Sequence, residues 1–142
     1  MEVNLKSVSK SCTETILEQM NNAFFTIKNK NNYSIGFFCH IKYENRNISV
    51  AIINNYNIGE DNNNFLNISI NNKPRTIEIE NFRYTNKKND ISIIEIDENK
   101  NKNIYFLELD YGFHDENFEI YLKKEFIYMI NYNKDVYQYH MD

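Results

Sequence analysis

Ser34-Ile35-Gly36-Phe37-Phe38-Cys39-His40-Ile41-Lys42-Tyr43 runs through Glu44-Asn45-Arg46-Asn47 into Ile48-Ser49-Val50-Ala51-Ile52-Ile53. Both arms are rich in β-branched and aromatic residues, and the four residues between them are polar. That composition predicts two strands, 34–43 and 48–53, paired as a hairpin. Working outward, the same period of two recurs. Phe24 to Lys28 reads as a strand upstream, closed by the polar run Asn29 to Asn32. Downstream, Leu66, Ile68 and Ile70 alternate with Asn67 and Ser69, and Asn71-Asn72-Lys73-Pro74 turns the chain. Ile77 and Ile79 alternate with Thr76, Glu78 and Glu80, and Asp90 to Ile96 is the cleanest strand of all. Glu78, Glu80, Ser92 and Glu95 are expected on the outward side of their strands. Asp97 to Asn103 reads as a charged, Asn-rich loop, and Tyr105, Leu107 and Leu109 as a short extended piece. Residues 125–132 and 136–140 form a last hairpin about Asn133-Lys134-Asp135.

One segment has a different period. Ile16, Leu17, Met20, Ala23 and Phe24 fall on one helical face, and Ser11 stands three residues before Glu14 with the spacing of a capping box. A short helix over 11–22 follows, its apolar stripe expected to pack on the strands. Residues 1–10 are expected to fray, and the polar stretch 54–64 has room for one helical turn. Many short strands, polar turns and one helix predict an all-β fold, a barrel or a sandwich. At 142 residues a single domain is expected, 1–142, with a real core.

Composition removes several functions. The formal net charge is −4, the wrong sign for a nucleic-acid surface. No run of 18 apolar residues suggests a membrane helix, and the first residues lack the apolar core of a secretory signal, so a cytoplasmic location is expected. Only Gly36, Gly59 and Gly112 are glycines, too few and too far apart to build a phosphate-cradling loop or a Gly-x-Ser-x-Gly elbow. Cys12 and Cys39 make neither a disulfide framework nor a Cys-x-x-Cys metal pair. The 26 Asn and 20 Ile point to AT-rich codons rather than to a function.

Four segments, in order, resemble parts of the trypsin-like serine proteases. Ser34-Ile35-Gly36-Phe37-Phe38-Cys39 is similar to the Gly-Thr-Gly-Phe-type strand near that family's start. Val50-Ala51-Ile52-Ile53-Asn54-Asn55-Tyr56 resembles the strand leading into the catalytic histidine. Tyr84 to Ile96 resembles the segment with the catalytic aspartate at the head of a strand, and Phe126 to Met141 the first hairpin of the second barrel. The resemblance spans about residues 23–141. It implies a chymotrypsin-type antiparallel six-stranded β-barrel over 23–110, with the N-terminal helix and an extra C-terminal hairpin over 124–141.

Carried over residue by residue, the resemblance implies no competent catalytic set. Tyr56 stands at the histidine position, and a phenol with a pKa near about 10 is no general base at neutral pH. Asp90 stands at the aspartate position, and no Gly-Asp-Ser-Gly-like segment supplies the serine. The implied protein is a truncated, catalytically inactive pseudoprotease, a protein-binding or scaffold module without cofactor or metal. Its partner would be another protein or a second copy, met through the C-terminal hairpin. The alternative is half of a split serine protease completed by another chain, which would have to donate the histidine. A decaying gene product without selected activity is a third possibility.

For the single residues the plainer readings are structural. Tyr56 fills the old cleft, and Asp90 caps a loop. His40, His114 and His140 lack zinc-ligand spacing. Asp110, Asp115, Glu116 and Glu119 form a solvated acidic loop rather than a calcium site, because their spacing matches no EF-hand. Cys39 faces inward or toward the helix as a buried, inert thiol. It cannot readily use His40, because adjacent strand residues point to opposite faces.

Overall fold

The computed structural model describes residues 10–29, 32–54, 64–109, 126–130 and 136–140. Helix α1 covers Lys10–Ala23 and runs directly into β1, Phe24–Asn29. There follow β2 (Asn32–Tyr43), β3 (Arg46–Asn54), β4 (Phe65–Ile70), β5 (Lys73–Asn86), β6 (Ile91–Ile96), β7 (Leu107–Glu108), β8 (Phe126–Ile130) and β9 (Val136–His140). The chain divides into two compact units: residues 19–109, and residues 1–18 with 110–142.

In the first unit β1, β4, β5, β6, β3 and β2 pair in that order. A pairing of β1 with β2 closes them into a ring of six strands, and β7 pairs with β2 as a seventh strand of the same sheet. Every pairing within the ring is antiparallel, and β7 alone is parallel to its neighbour. All-β architecture is therefore present, with one helix. In the second unit β8 and β9 form a two-stranded antiparallel sheet, with Phe126 opposite His140 and Ile130 opposite Val136.

Two of the turns explain the registers. Glu44 and Asn45 both have positive φ, as do Asn71 and Asn72. Two consecutive left-handed residues give the tight turn whose twist matches paired strands, and Asn tolerates that conformation better than most residues. The second turn is shorter than the sequence suggests. Pro74 is not in it but opposite Ser69 in the ladder. Strand β5 is longer than expected and bulged: Ile79 pairs with Ile96 and Arg83 with Ile94, so three residues of β5 face the single Glu95 of β6.

The inward side of the ring holds Phe25, Ile27, Phe38, Ala51, Ile53, Leu66, Ile68, Ile77, Ile94, Ile96 and, from the segment before β7, Phe106. Phe25 and Phe38 pack at 4.6 Å between centroids with their rings tilted by 43°, and Phe106 meets Phe38 edge-on at 5.6 Å. Gly36 faces this core between Phe25 and Ile53, which lie where a Cβ would stand. The outward side carries a second apolar cluster: Cys39, Ile48 and Val50, with Phe37, Ile41, Ile52, Ile93 and Leu107 against it. This is why 37–41 and 50–53 read as nearly unbroken apolar runs, since strands covered on both faces lose their alternation.

Three expectations need correction. Ser92 is not outward: it is fully buried beside Ile94, its hydroxyl 3.1 Å from that of Thr85. Strict alternation cannot turn both Ser92 and Glu95 outward, and the core takes the even-numbered residues. Cys39 is buried as expected but does not face the inner core: it lies on the outward side, in the second cluster. Ser11 is not a cap either, because the helix already includes Lys10 and the Ser11 carbonyl accepts from Thr15 Oγ1 at 3.1 Å. Among the described residues no helix is long and apolar enough to cross a membrane.

Candidate functional site

The end of β3 and the head of β6 bring the aspartate-bearing segment to the strand that leads toward residue 56. Asn54 is paired with Ile91. Asp90 precedes Ile91 in a left-handed conformation, φ 52°, at the close of the turn after β5. Its amide reaches the Lys87 carbonyl at 3.4 Å, and Asn86 Oδ1 accepts from the Asn89 amide at 3.1 Å. The Asn54 side-chain amide donates to Asp90 Oδ2 at 3.1 Å and to the Asp90 carbonyl at 3.4 Å. Asp90 thus ties the turn to the end of β3. Tyr56 lies outside the described residues. The serine nearest in sequence to Asp90, Ser92, is enclosed in the core.

A second polar cluster stands at the other end of the same strands. Ser49 is five residues before Asn54 on β3, about 17 Å away at the rise of an antiparallel strand. It is the cross-strand partner of His40 on β2. His40 Nδ1 lies 2.6 Å from Glu108 Oε1, and Nε2 lies 3.2 Å from Glu98 Oε1. Ser49 Oγ donates to the same Glu98 oxygen. The imidazole stacks on Phe106 at 5.1 Å, nearly parallel. Burial alone would pull the imidazole pKa down. The hydrogen bonds to Glu108 and Glu98, and the charges of both, outweigh it, and the pKa lies above the ordinary 6.5. The Ser49 hydroxyl and His40 together hold the Glu98 carboxyl below its ordinary value.

Sequence reasoning missed this cluster. Its carboxylates lie 58 and 68 residues from His40, and only the packing of β7 and of the turn after β6 brings them in. Next to it, Cys39 is fully buried opposite Val50 and Leu107, and burial, then the Glu108 charge, pushes its thiol up to about 11. At neutral pH it is protonated and a poor nucleophile. His114 and the acidic residues Asp110, Asp115, Glu116 and Glu119 lie outside the described residues, as does the side chain of His140. No family model, curated protein or solved structure matches this chain.

Proposed function

We propose that the chain is a non-catalytic relative of the trypsin-like serine proteases, a chymotrypsin-type barrel that works as a protein-binding module in the cytoplasm. The observation that carries this reading is the bond between Asn54 and Asp90. In the resembled family that acid orients a histidine. Here an acceptor oxygen of Asp90 takes an amide hydrogen from Asn54, so the carboxylate ties its turn to the end of β3. The buried Ser92 offers no nucleophile to it. The binding partner, another protein or a second copy of this chain, would add a strand to the β8–β9 hairpin. Among the described residues that sheet has only two strands, and a two-stranded sheet offers its edges and has little stability alone.

The test is direct. Purified protein is treated with a serine-directed fluorophosphonate and, separately, with peptide libraries at neutral pH. Neither labelling nor cleavage is expected. Stoichiometric labelling of any single serine overturns the proposal.

A further inference from the structure

We propose that the hairpin arm made by β1 and residues 32–36 of β2 exchanges between two copies of this chain, each arm docking in the ring of the other. The arm is fastened to its own ring by little backbone. Its strands pair with each other from Phe24 and Phe37 to Asn29 and Asn32. On the β1 side, the register with β4 holds one pair among the described residues, Thr26 with Ser69. The other seams of the ring hold five to seven pairs each, so this one is the weakest. On the β2 side, the register with β3 ends at Phe37 and Ile52, although β3 itself runs on against β6 to Asn54. The arm therefore leaves the ring between Gly36 and Phe37.

What holds the arm down is side-chain packing. Phe25 and Ile27 enter the inner core, and Phe25 fills the space beside Gly36. The fit has a flaw. Ser34, opposite Ile27, is buried, and its Oγ has no hydrogen-bond partner among the described residues. An enclosed hydroxyl without a partner is a cost of the docked arm that water removes once the arm lifts.

A lifted arm uncovers Phe25 and Ile27 and opens the edge of β4 at Ser69. The surface that fits it has an antiparallel edge in the register of Ser69 and a gap in an inner core shaped for Phe25 and Ile27. A second copy with its own arm lifted supplies both, so it is the occupant. Exchange of an identical element restores every contact that opening broke, now between chains. The inner side of the arm, Phe25, Ile27, Ser34 and Gly36, is uncharged, so the net charge of −4 on each chain sets no like charges face to face in the docked arm. Because the same contacts form in both states, concentration sets the balance between them. The Ser34 flaw, present in both, sets the rate.

The full-length chain carrying Thr26→Cys and Ser69→Cys tests this. Isotopically light and heavy copies are mixed in the reduced state, at millimolar or at micromolar concentration, then oxidised and digested. Peptides linking positions 26 and 69 are expected to join light to heavy chains after mixing at millimolar concentration, and like to like at micromolar. Links of 26 to 26 or 69 to 69, the signature of chance collision, should stay rare. Adding Ser34→Ala should slow the appearance of mixed links about fivefold or more. In the unsubstituted chain the amides of residues 26–28 and 34–36 should exchange about tenfold or more faster than that of Ile77, since an undocked two-stranded hairpin is itself marginal. Links that are never mixed overturn the proposal. So does a failure of 26 and 69 to link at all, a rate that Ser34→Ala leaves unchanged, or arm amides as protected as that of Ile77. A dimer made through the β8–β9 hairpin gives no mixed 26–69 link, so the two interfaces are told apart.

Discussion

Gly36 is needed for space rather than for backbone freedom. No glycine among the described residues has a positive φ, and the ring of Phe25 and the methyl of Ile53 occupy the volume of a side chain at position 36. Gly36→Ala must displace both from the tightest part of the core and is expected to cost about 2 kcal/mol or more, read from a urea midpoint. His40 and Glu98 add a pH dependence. The imidazole binds its proton more tightly folded than unfolded, so its stabilisation is complete below 6.5 and disappears as pH climbs through the raised value. Glu98 acts in the opposite sense. Its carboxyl is held down, so its stabilisation is present above 4.5 and is lost as pH falls through the lowered value. Urea midpoints of the wild type against His40→Gln are expected to differ most between pH 5 and 6 and to converge toward pH 9.

Among the elements, the turn-rich stretch after β6 is the most firmly built for its composition. Asn101 is buried, and its side chain stands in for a strand: Oδ1 accepts from the Glu78 amide at 3.0 Å and Nδ2 donates to the Glu78 carbonyl at 3.2 Å. The same Nδ2 reaches the Asp97 carbonyl at 3.0 Å, the Arg75 guanidinium donates to the carbonyls of Lys102 and Asn103, and Lys100 pairs with Glu78 at 2.9 Å. Asn101→Ala leaves the Glu78 backbone groups without these partners and is expected to cost about 2 kcal/mol. A thermal melt checks it, with Asn99→Ala in the same turn as an exposed control expected to change little. A charged, Asn-rich run reads as a solvated loop because composition reports average exposure. One asparagine with both its amide groups engaged reverses that reading.

At the scale of the molecule the ring closes its own edges, since β1 pairs with both β2 and β4. The β8–β9 sheet has no such closure among the described residues. If that hairpin takes a strand from a second copy, deleting residues 124–142 is expected to leave a folded monomer and abolish self-association. Sedimentation velocity on both forms decides it. A monomer before and after the deletion removes the self-pairing, and dimers that persist after it move the interface elsewhere.

The sequence by itself determined where most strands lie, though not the length of β5 or the tightness of the turn before it. Local alternation and Asn-rich breaks placed Leu66–Ile70, Ile91–Ile96 and the 34–53 hairpin within a residue or two, because side-chain period and turn chemistry are local properties. It also drew attention to Asp90. Facing was less legible: the apolar runs of β2 and β3 are covered on both sides, so Cys39 and Ser92 carried no local sign of the side they take. Only the tertiary structure decided that β1 meets β4 and closes the ring. It alone gave Asp90 its Asn54 partner, 36 residues away, and brought Ser49, Glu98 and Glu108 around His40. Those contacts depend on which strands become neighbours, and pairing across long loops leaves no periodic trace in the chain.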